Sequence, residues 1–246
     1  MVVRAFPRSN RLFPPPMIWV GILVLLVSRS AQALPRNLPP NVSVRIVFVT
    51  STTTDGNIGG LAGADSLVGA AAGNPGSLVA GQTVKAILSV VGTLAQSRFV
   101  DNGEPIYNAR GQIVAARLSQ MFAGGTTILK NPILYDEAGT ANAGTVWTGT
   151  DANGALAPTH CTSYSTNTTL QDGRIGSSDL SDSKWTELGT LNCVNPARLY
   201  GLTDVITVPG TPAPTLGSLA LGTLVLLLVG VAVKLLQRRH QLRRVA

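Results

Sequence analysis

Histidine and cysteine are scarce in this chain, which limits the chemistry it can perform. Its 246 residues include two of each, and only one histidine, His160, lies outside the last ten residues. One histidine and two cysteines do not make the ligand set of a zinc site. The Gly-x-Ser-x-Gly motif, a paired-carboxylate signature and a phosphate-binding glycine loop are also missing. We therefore predict no catalytic, cofactor-binding or metal-binding residues, and a protein that is not an enzyme.

Charged and aromatic residues are also few, at 13% and 5% of the chain. The net charge of +7 and pI near 10.0 nevertheless suggest a nucleic-acid partner. The excess of basic residues comes from the two ends, because residues 34–215 contain 10 basic and 12 acidic side chains, a net charge of −2. That region lacks the basic stripe and the stacking aromatics that nucleic-acid binding requires. We predict no nucleic-acid partner.

The N-terminus has the three parts of a signal peptide. Arg4, Arg8 and Arg11 precede an 11-residue apolar run, 17–27, and a small-x-small cleavage site ends the segment at Ala31-Gln32-Ala33. The run is too short to span a bilayer comfortably. We predict a signal peptide over 1–33 that is removed after Ala33, followed by an N-terminal linker over 34–42.

The C-terminus has the pattern of a membrane anchor. A Pro-rich linker over 205–215 leads into an apolar segment, 216–236, and a basic tail, 237–246. A helix of 21 residues spans roughly 30 Å, the thickness of one hydrocarbon core. The basic residues form a stop-transfer signal that stays cytoplasmic by the positive-inside rule; they are Lys234, Arg238, Arg239, Arg243 and Arg244. We expect a helix in the inner membrane, with the preceding domain in the periplasm or at the cell surface.

The region between these ends reads as one α+β domain over 43–204. Residues 41–51 alternate apolar and polar side chains, which predicts a strand. Residues 162–190 are rich in Ser, Thr, Asp and Gly and are predicted to form a long surface loop. The remaining predicted elements are helices over 61–72 and 115–122, and strands over 84–91, 145–149 and 198–203.

The two cysteines, Cys161 and Cys193, have two interpretations. Export to an oxidising compartment favours a disulfide, which would stabilise the fold by roughly 3–4 kcal/mol. The alternative is a nucleophilic thiol activated by the neighbouring His160. Adjacent residues seldom present a thiol and an imidazole to each other productively, so the disulfide is the favoured interpretation.

Several polar and aromatic residues invite a functional hypothesis, and each also has a structural one. Asp136 and Glu137 could act as acids or lie in a solvated turn. Calcium could bind Asp151 with Asn153, although a turn closed by side-chain hydrogen bonds is favoured there. Calcium could also bind the acids of the polar loop, whose default role is solvation: Asp172, Asp179 and Asp182. Trp147 and Trp185 could stack on sugars, or fill the core as aromatic residues usually do. Calcium is therefore possible but has no support in the sequence.

A series of motifs runs along the domain: Gly60-Leu61-Ala62-Gly63-Ala64-Asp65, Pro105-Ile106-Tyr107-Asn108, Val146-Trp147-Thr148-Gly149-Thr150-Asp151-Ala152-Asn153-Gly154, Cys161, Trp185, Cys193 and Ala197-Arg198-Leu199-Tyr200. In this order and spacing the motifs resemble a family of bacterial exported domains, DUF1554, which is similar to the endostatin variant of the C-type lectin-like fold. The resemblance implies that the first strand, near 43–50, pairs with the last, near 198–203. It also implies nested disulfides, of which Cys161–Cys193 is the inner one, while Val68 and Gly201 occupy the outer positions.

The C-terminus resembles the IPTL-CTERM sorting signal of Gram-negative bacteria through Pro214-Thr215-Leu216. This chain has Ala213 where that signal has Ile, and it lacks the Trp-Gly that normally follows. The resemblance implies a sorting protease as a partner and release to the outer surface after cleavage. We expect a non-catalytic, membrane-tethered domain that binds a glycan, a matrix polymer or a protein. The alternative is a hydrolase of a cell-surface polymer that uses Asp136 or Glu137.

Overall fold

The computed structural model describes residues 34–124, 129–210 and Lys234. The predicted signal peptide, its cleavage site at Ala31 and Ala33, the sorting motif Pro214-Thr215-Leu216 and nearly all of the segment 216–236 lie outside these residues. Of the predicted stop-transfer residues only Lys234 is described, and it is exposed. Within the described ranges no helix is long and apolar enough to cross a membrane.

The described region is an α+β domain with two sheets. The main sheet has the strand order β2-β8-β1-β3-β4, and β9 also pairs with β1. Its strands are β1 (Ser43–Val49), β2 (Val84–Ala86), β3 (Ile106–Asn108), β4 (Ile113–Ala115), β8 (Tyr200–Thr203) and β9 (Ile206–Thr207). The second sheet has the order β5-β6-β7, formed by β5 (Thr145–Trp147), β6 (Asp172–Ser177) and β7 (Gly189–Asn192). The helices are α1 (Gly60–Ala72) and the four-residue α2 (Leu118–Met121).

Strand β1 is the centre of the main sheet and joins both ends of the domain. It runs antiparallel to β8 with Phe48 opposite Gly201, and parallel to β3 with Ile46 opposite Tyr107. The predicted pairing of the first strand with the last is confirmed. The backbone pairing continues past β1, because the amide of Thr50 donates to Leu199 and Thr54 exchanges hydrogen bonds with Ala197.

Apolar side chains cover both faces of β1, and this explains its position. Val44, Ile46 and Phe48 belong to one core, and Val47 and Val49 belong to a second. Helix α1 packs its buried residues into the first core, namely Ala64, Val68, Ala71 and Ala72. A strand buried on both faces is fixed in register, since a slip of one residue would exchange the contents of the two cores.

Residues 162–190 do not form the predicted long loop. They contain all of β6, a short 3₁₀ turn at Ser183–Trp185 and the start of β7. The other boundaries differ less. The strand predicted over 84–91 is confined to Val84–Ala86, and the helix predicted over 115–122 to Leu118–Met121.

The folded region extends beyond 43–204 at both ends. Leu38 and Val208 are both buried in the first core. The amide of Asn41 donates to the carbonyl of Val208, and β9 pairs with Ser43 and Val44. The last residue described before residue 234, Gly210, lies against the Asn41 side chain. The chain therefore leaves this domain beside the start of β1.

Candidate functional site: a groove beside a left-handed turn

A disulfide lies beyond the far end of β1. Cys161 and Cys193 are bonded, with their Cα atoms 5.7 Å apart, so the predicted disulfide is confirmed and the hypothesis of a nucleophilic thiol is wrong. Both cysteines are almost completely buried. The carbonyl of Cys193 accepts a hydrogen bond from the amide of Gly56 at 2.7 Å, which connects the disulfide to the segment that follows β1.

The disulfide anchors a left-handed helical turn, Cys161–Tyr164, called the left-handed turn below. Its four residues have φ of 47°, 51°, 56° and 58°, and none is glycine. The left-handed conformation costs a non-glycine residue about 1–2 kcal/mol and is usually adopted by single residues. Four in succession persist only where the surrounding structure dictates the conformation, and such strain is concentrated at functional sites.

Tyr164 is the buried anchor of this turn. Its ring packs edge-to-face on Trp147 with centroids 5.7 Å apart, and its hydroxyl donates to the Arg174 carbonyl at 3.0 Å. Burial raises the pKa of Tyr164 well above the ordinary 10.0, despite a hydrogen bond from the Gly149 backbone and the nearby charge of Arg174. The side chain is therefore a neutral hydroxyl that fixes one end of the turn to β6.

His160 caps the other end of the turn. Its Nδ1 accepts a hydrogen bond from the amide of Ser163 at 2.9 Å, and its carbonyl accepts from the amide of Tyr164. Because Nδ1 is an acceptor, a neutral ring has its proton on Nε2. On the exposed side, the hydroxyl of Thr162 donates to Oε1 of Gln171 at 2.6 Å. The turn is thus held by a covalent bond, a buried tyrosine and polar contacts.

An open groove of about 480 Å³ lies beside the left-handed turn, between residues 158–162 and 170–172. This volume falls in the range of about 300–1,000 Å³ that ligand sites occupy. Leu170 stands on its rim with 90% of its surface exposed. Pro158, Gln171 and Asp172 also line the groove and are exposed. None of the lining residues is Lys or Arg, and Asp172 is the single carboxylate among them.

The groove contains polar groups that the described residues leave free. Oδ2 of Asp172 and the side-chain amide nitrogen of Gln171 have no partner within the described ranges, and neither has Nε2 of His160. Thr159 lines the groove as well, but its hydroxyl oxygen is buried and does not face the groove. The groove thus offers donors, acceptors and exposed apolar carbon together.

Asp136 and Glu137 lie away from the groove and are buried, so the expected solvated turn is not observed. The Glu137 carboxylate accepts hydrogen bonds from the amide and hydroxyl of Ser51, at 3.0 and 2.5 Å, and from the side chain of Asn74. The Asp136 carboxylate accepts from the amides of Ala138 and Thr140. Both acids hold loops in place. The role of Glu137 could not be read from the sequence, because its partners Ser51 and Asn74 are distant along the chain, whereas Asp136 closes a local turn.

The residues considered for calcium have other contacts. Asp151 and Asn153 both accept from the amide of Ala155, the turn that was favoured for them. Asp179 accepts from the Ser177 hydroxyl, and Asp182 caps the 3₁₀ turn through the amide of Lys184. Over the described ranges, no three His, Cys, Asp or Glu side chains are grouped so that they could hold a metal ion.

Trp147 and Trp185 are both completely buried, so they belong to the cores and cannot stack on a ligand. The two positions that the resemblance to DUF1554 assigns to an outer disulfide, Val68 and Gly201, are closely packed in this structure. Val68 is a buried core residue, and a Cβ on Gly201 would lie 2.4 Å from the ring of Phe48. The Phe48 ring therefore occupies the space that a larger residue at 201 would need.

Sequence reasoning did not identify Leu170, Gln171 or the left-handed turn. A lone leucine in a polar segment was the one available signal, at Thr169-Leu170-Gln171. No protein-family model matches the chain, and a search of curated proteins finds no match either.

Proposed function

We propose that this chain is an exported, membrane-tethered envelope protein whose domain binds an extracellular glycan, matrix polymer or protein through the groove beside the left-handed turn. The observation that carries the proposal is the location of this groove. It lies past the far end of β1, whereas the chain leaves the domain beside the start of that strand. Strand β1 has seven residues, and its length by itself places these two ends about 20 Å apart.

This arrangement suits a tethered receptor. If the apolar segment 216–236 holds the chain in the inner membrane, the linker enters the domain at one end and the groove is presented at the other. The disulfide is consistent with export, because such bonds persist in oxidising compartments. The signal-peptide pattern over 1–33 and the basic residues after 233 support the same topology.

We also propose that the domain is an endostatin-like variant of the C-type lectin-like fold, related to DUF1554. Pairing of the first and last strands supports this, as do the disulfide at the inner positions and the two buried tryptophans. A fold does not determine its ligand, so the binding proposal rests on the groove.

The alternative hydrolase has no support from Asp136 and Glu137. Both side chains are buried and hold loop amides, and neither lines the groove. A hydrolase would have to use other carboxylates, and the groove offers Asp172 alone. Glycosidases generally need a pair of carboxylates on either side of the scissile bond.

The topology is tested on the full chain with an epitope after Ala246, expressed in a Gram-negative host. In spheroplasts, added protease should digest the domain and leave the C-terminal epitope intact. Accessibility of the epitope from the outer side would overturn the topology. Recovery of a surface-exposed form without the epitope would instead establish processing near Pro214-Thr215-Leu216 by a sorting protease.

The binding activity is tested by sedimentation of the detergent-solubilised full chain with peptidoglycan sacculi and with insoluble polysaccharides, beside an assay for newly formed reducing ends. We expect sedimentation without cleavage. Release of soluble fragments from any of these polymers would favour the hydrolase.

A further inference from the structure

We propose that the groove binds an uncharged, hydroxyl-rich polysaccharide segment and that it does so without calcium. This inference rests on the proposed binding function and gives it a ligand class. Its starting point is the set of free polar groups: the Nε2–H of His160 and the amide nitrogen of Gln171 are donors, and Oδ2 of Asp172 is an acceptor. A sugar hydroxyl both donates and accepts, so adjacent hydroxyls can satisfy all three.

The charge of the groove argues against ionic polymers. Its lining contains one carboxylate and neither Lys nor Arg, so a polyanion would meet Asp172 without a compensating cation. Asp172 also lies at the start of β6, where its Oδ1 accepts a hydrogen bond from the neutral side-chain amide of Asn192 at 3.3 Å. A polycation would find a single carboxylate opposite two donors, which is weak complementarity.

The apolar part of the groove fits the carbon face of a pyranose ring. Leu170 is almost fully exposed and Pro158 is exposed, and both stand beside the polar groups. Binding sites of this kind combine apolar contact area with a few placed polar groups that fix the ligand's orientation.

A peptide fits the groove less well. Peptides are commonly recognised through a free sheet edge or through an apolar channel for side chains. The backbone that borders the groove is already paired, because the carbonyl of Gln171 accepts from the amide of Cys193 and the amide of Arg174 donates to Thr159. The apolar side chains stand on the rim, where they give surface contact but no side-chain pocket.

Calcium is not required for this mode of binding. Calcium takes six to eight oxygen ligands, usually with several carboxylates among them. Asp172 is the single carboxylate of the groove. We therefore expect the affinity for a neutral glycan to be unchanged by a chelator.

The test uses the full chain in detergent and a panel of soluble polymers: neutral glucans, mannans and galactans, an acidic uronic-acid polymer, and unstructured peptides. We expect binding to at least one neutral glycan, with equal affinity in calcium and in EDTA. The double variant L170S/D172N should weaken binding about tenfold or more, because it removes the apolar contact and the charged acceptor. Both side chains are exposed, so the variant keeps its fold.

The double variant D204N/V205S is the matched control, since it changes an exposed acid and an adjacent valine that is 39% exposed between β8 and β9. Its affinity should equal that of the wild type. Binding of the acidic polymer or the peptides alone, a requirement for calcium, or no binding to any neutral glycan would overturn the inference. Binding of a peptide or an acidic polymer would still leave the proposed binding function in place, whereas cleavage of the polymers would remove both.

Discussion

At the scale of one residue, Gly173 occupies a position beside the groove where close packing leaves no room for a side chain. A Cβ at this position in β6 would lie 2.8 Å from Sγ of Cys161 and 2.8 Å from Cζ3 of Trp147. Neither neighbour can move freely, because the sulfur belongs to a disulfide and the tryptophan is completely buried. Glycine is thus required where the strand passes between the disulfide and the core.

We predict that Gly173→Ala destabilises the domain by about 1–3 kcal/mol, the usual cost of overpacking a filled core. Urea denaturation of the two proteins measures the difference. Gly189→Ala in the neighbouring strand β7 is the control, because a Cβ there meets no atom within 4 Å. Equal stability of the two variants would contradict this account of Gly173.

Asp65 protects an edge of the main sheet. One carboxylate oxygen accepts from the amide of Ala86 in β2 at 2.8 Å, and the other pairs with Arg98 at 2.5 Å. Arg98 in turn donates to the Ala86 carbonyl. The outer edge of β2 is therefore satisfied by side chains at Ala86, which is one way in which proteins prevent pairing with another strand.

Replacing Asp65 with Ala should cost about 1–3 kcal/mol, because it leaves the Ala86 amide without an acceptor and removes the carboxylate partner of the mostly buried Arg98 side chain. Thermal or urea unfolding gives the value. Asp204→Ala provides the comparison, since the Asp204 side chain is exposed and makes no hydrogen bond within the described residues. A loss of stability no larger than that of Asp204→Ala would show that this contact is not stabilising.

At the scale of elements, strand β1 was predictable and strand β6 was not. The alternation of Val44, Ile46 and Phe48 is a direct signal of a strand. Strand β6 has the sequence Asp-Gly-Arg-Ile-Gly-Ser, whose composition indicates a turn. Its second glycine is required by packing, because a Cβ on Gly176 would lie 1.9 Å from the carbonyl oxygen of Trp185. The contact that selects glycine is with a residue nine positions away, so a local pattern cannot reveal it.

The left-handed turn was unpredictable for a related reason. Thr, Ser and Tyr have no preference for positive φ, and nothing local distinguishes residues 162–164 from an ordinary loop. The conformation is imposed from outside by Cys193, Trp147 and the Arg174 carbonyl. The sequence therefore predicts the disulfide but not the left-handed backbone conformation of the turn that the disulfide anchors.

We predict that reduction of the disulfide releases this turn. Loss of a cross-link between residues 32 positions apart should lower the free energy of unfolding by about 3–4 kcal/mol. Amide hydrogen exchange should become faster at Ser163, Tyr164 and Ser165, whose amides donate to His160 and Cys161. The amides within β1 should remain protected as long as the domain stays folded.

The measurement compares the oxidised protein with the reduced protein and with the variant C161S/C193S. Unchanged protection of the three turn amides after reduction would mean that Tyr164 and His160 suffice to hold the turn. The glycan affinity should fall together with that protection, because the groove is formed in part by residues 160–162.

At the scale of the whole molecule, charge contributes little to what holds the domain together. Two ion pairs occur within the described ranges, Asp65–Arg98 and Arg174–Glu187. The buried guanidinium of Arg45 bonds to the carbonyls of Thr203 and Val100 rather than to an acid. The described domain therefore depends chiefly on its two apolar cores, its backbone ladders and its disulfide. Among its titratable groups, two buried tyrosine hydroxyls make its stability depend most clearly on pH.

The raised pKa values of these two tyrosines lead us to predict a loss of stability at alkaline pH. Burial, and then the negative charge of Asp179, raise the pKa of Tyr200 well above 10.0, and burial raises that of Tyr164. Below pH 10 both are neutral in the folded and unfolded states, so their contribution is fully present. Above pH 10 the unfolded chain releases their protons while the folded domain does not, and the free energy of unfolding falls as the pH rises. Tyrosinate absorbance of these residues should appear together with loss of the tertiary signal.

The variant Tyr200→Phe isolates one of the two phenols. At neutral pH it should be less stable than the wild type by about 1 kcal/mol, because the hydroxyl donates to the Trp185 carbonyl at 3.1 Å. Above pH 10, ionisation of Tyr200 stabilises the unfolded wild type, whereas the variant has no group that ionises at this position. The difference in the free energy of unfolding should therefore shrink and then reverse. Urea denaturation at a series of pH values measures both. A difference that stays constant through the alkaline range would show that Tyr200 ionises as readily in the folded domain as in the unfolded chain.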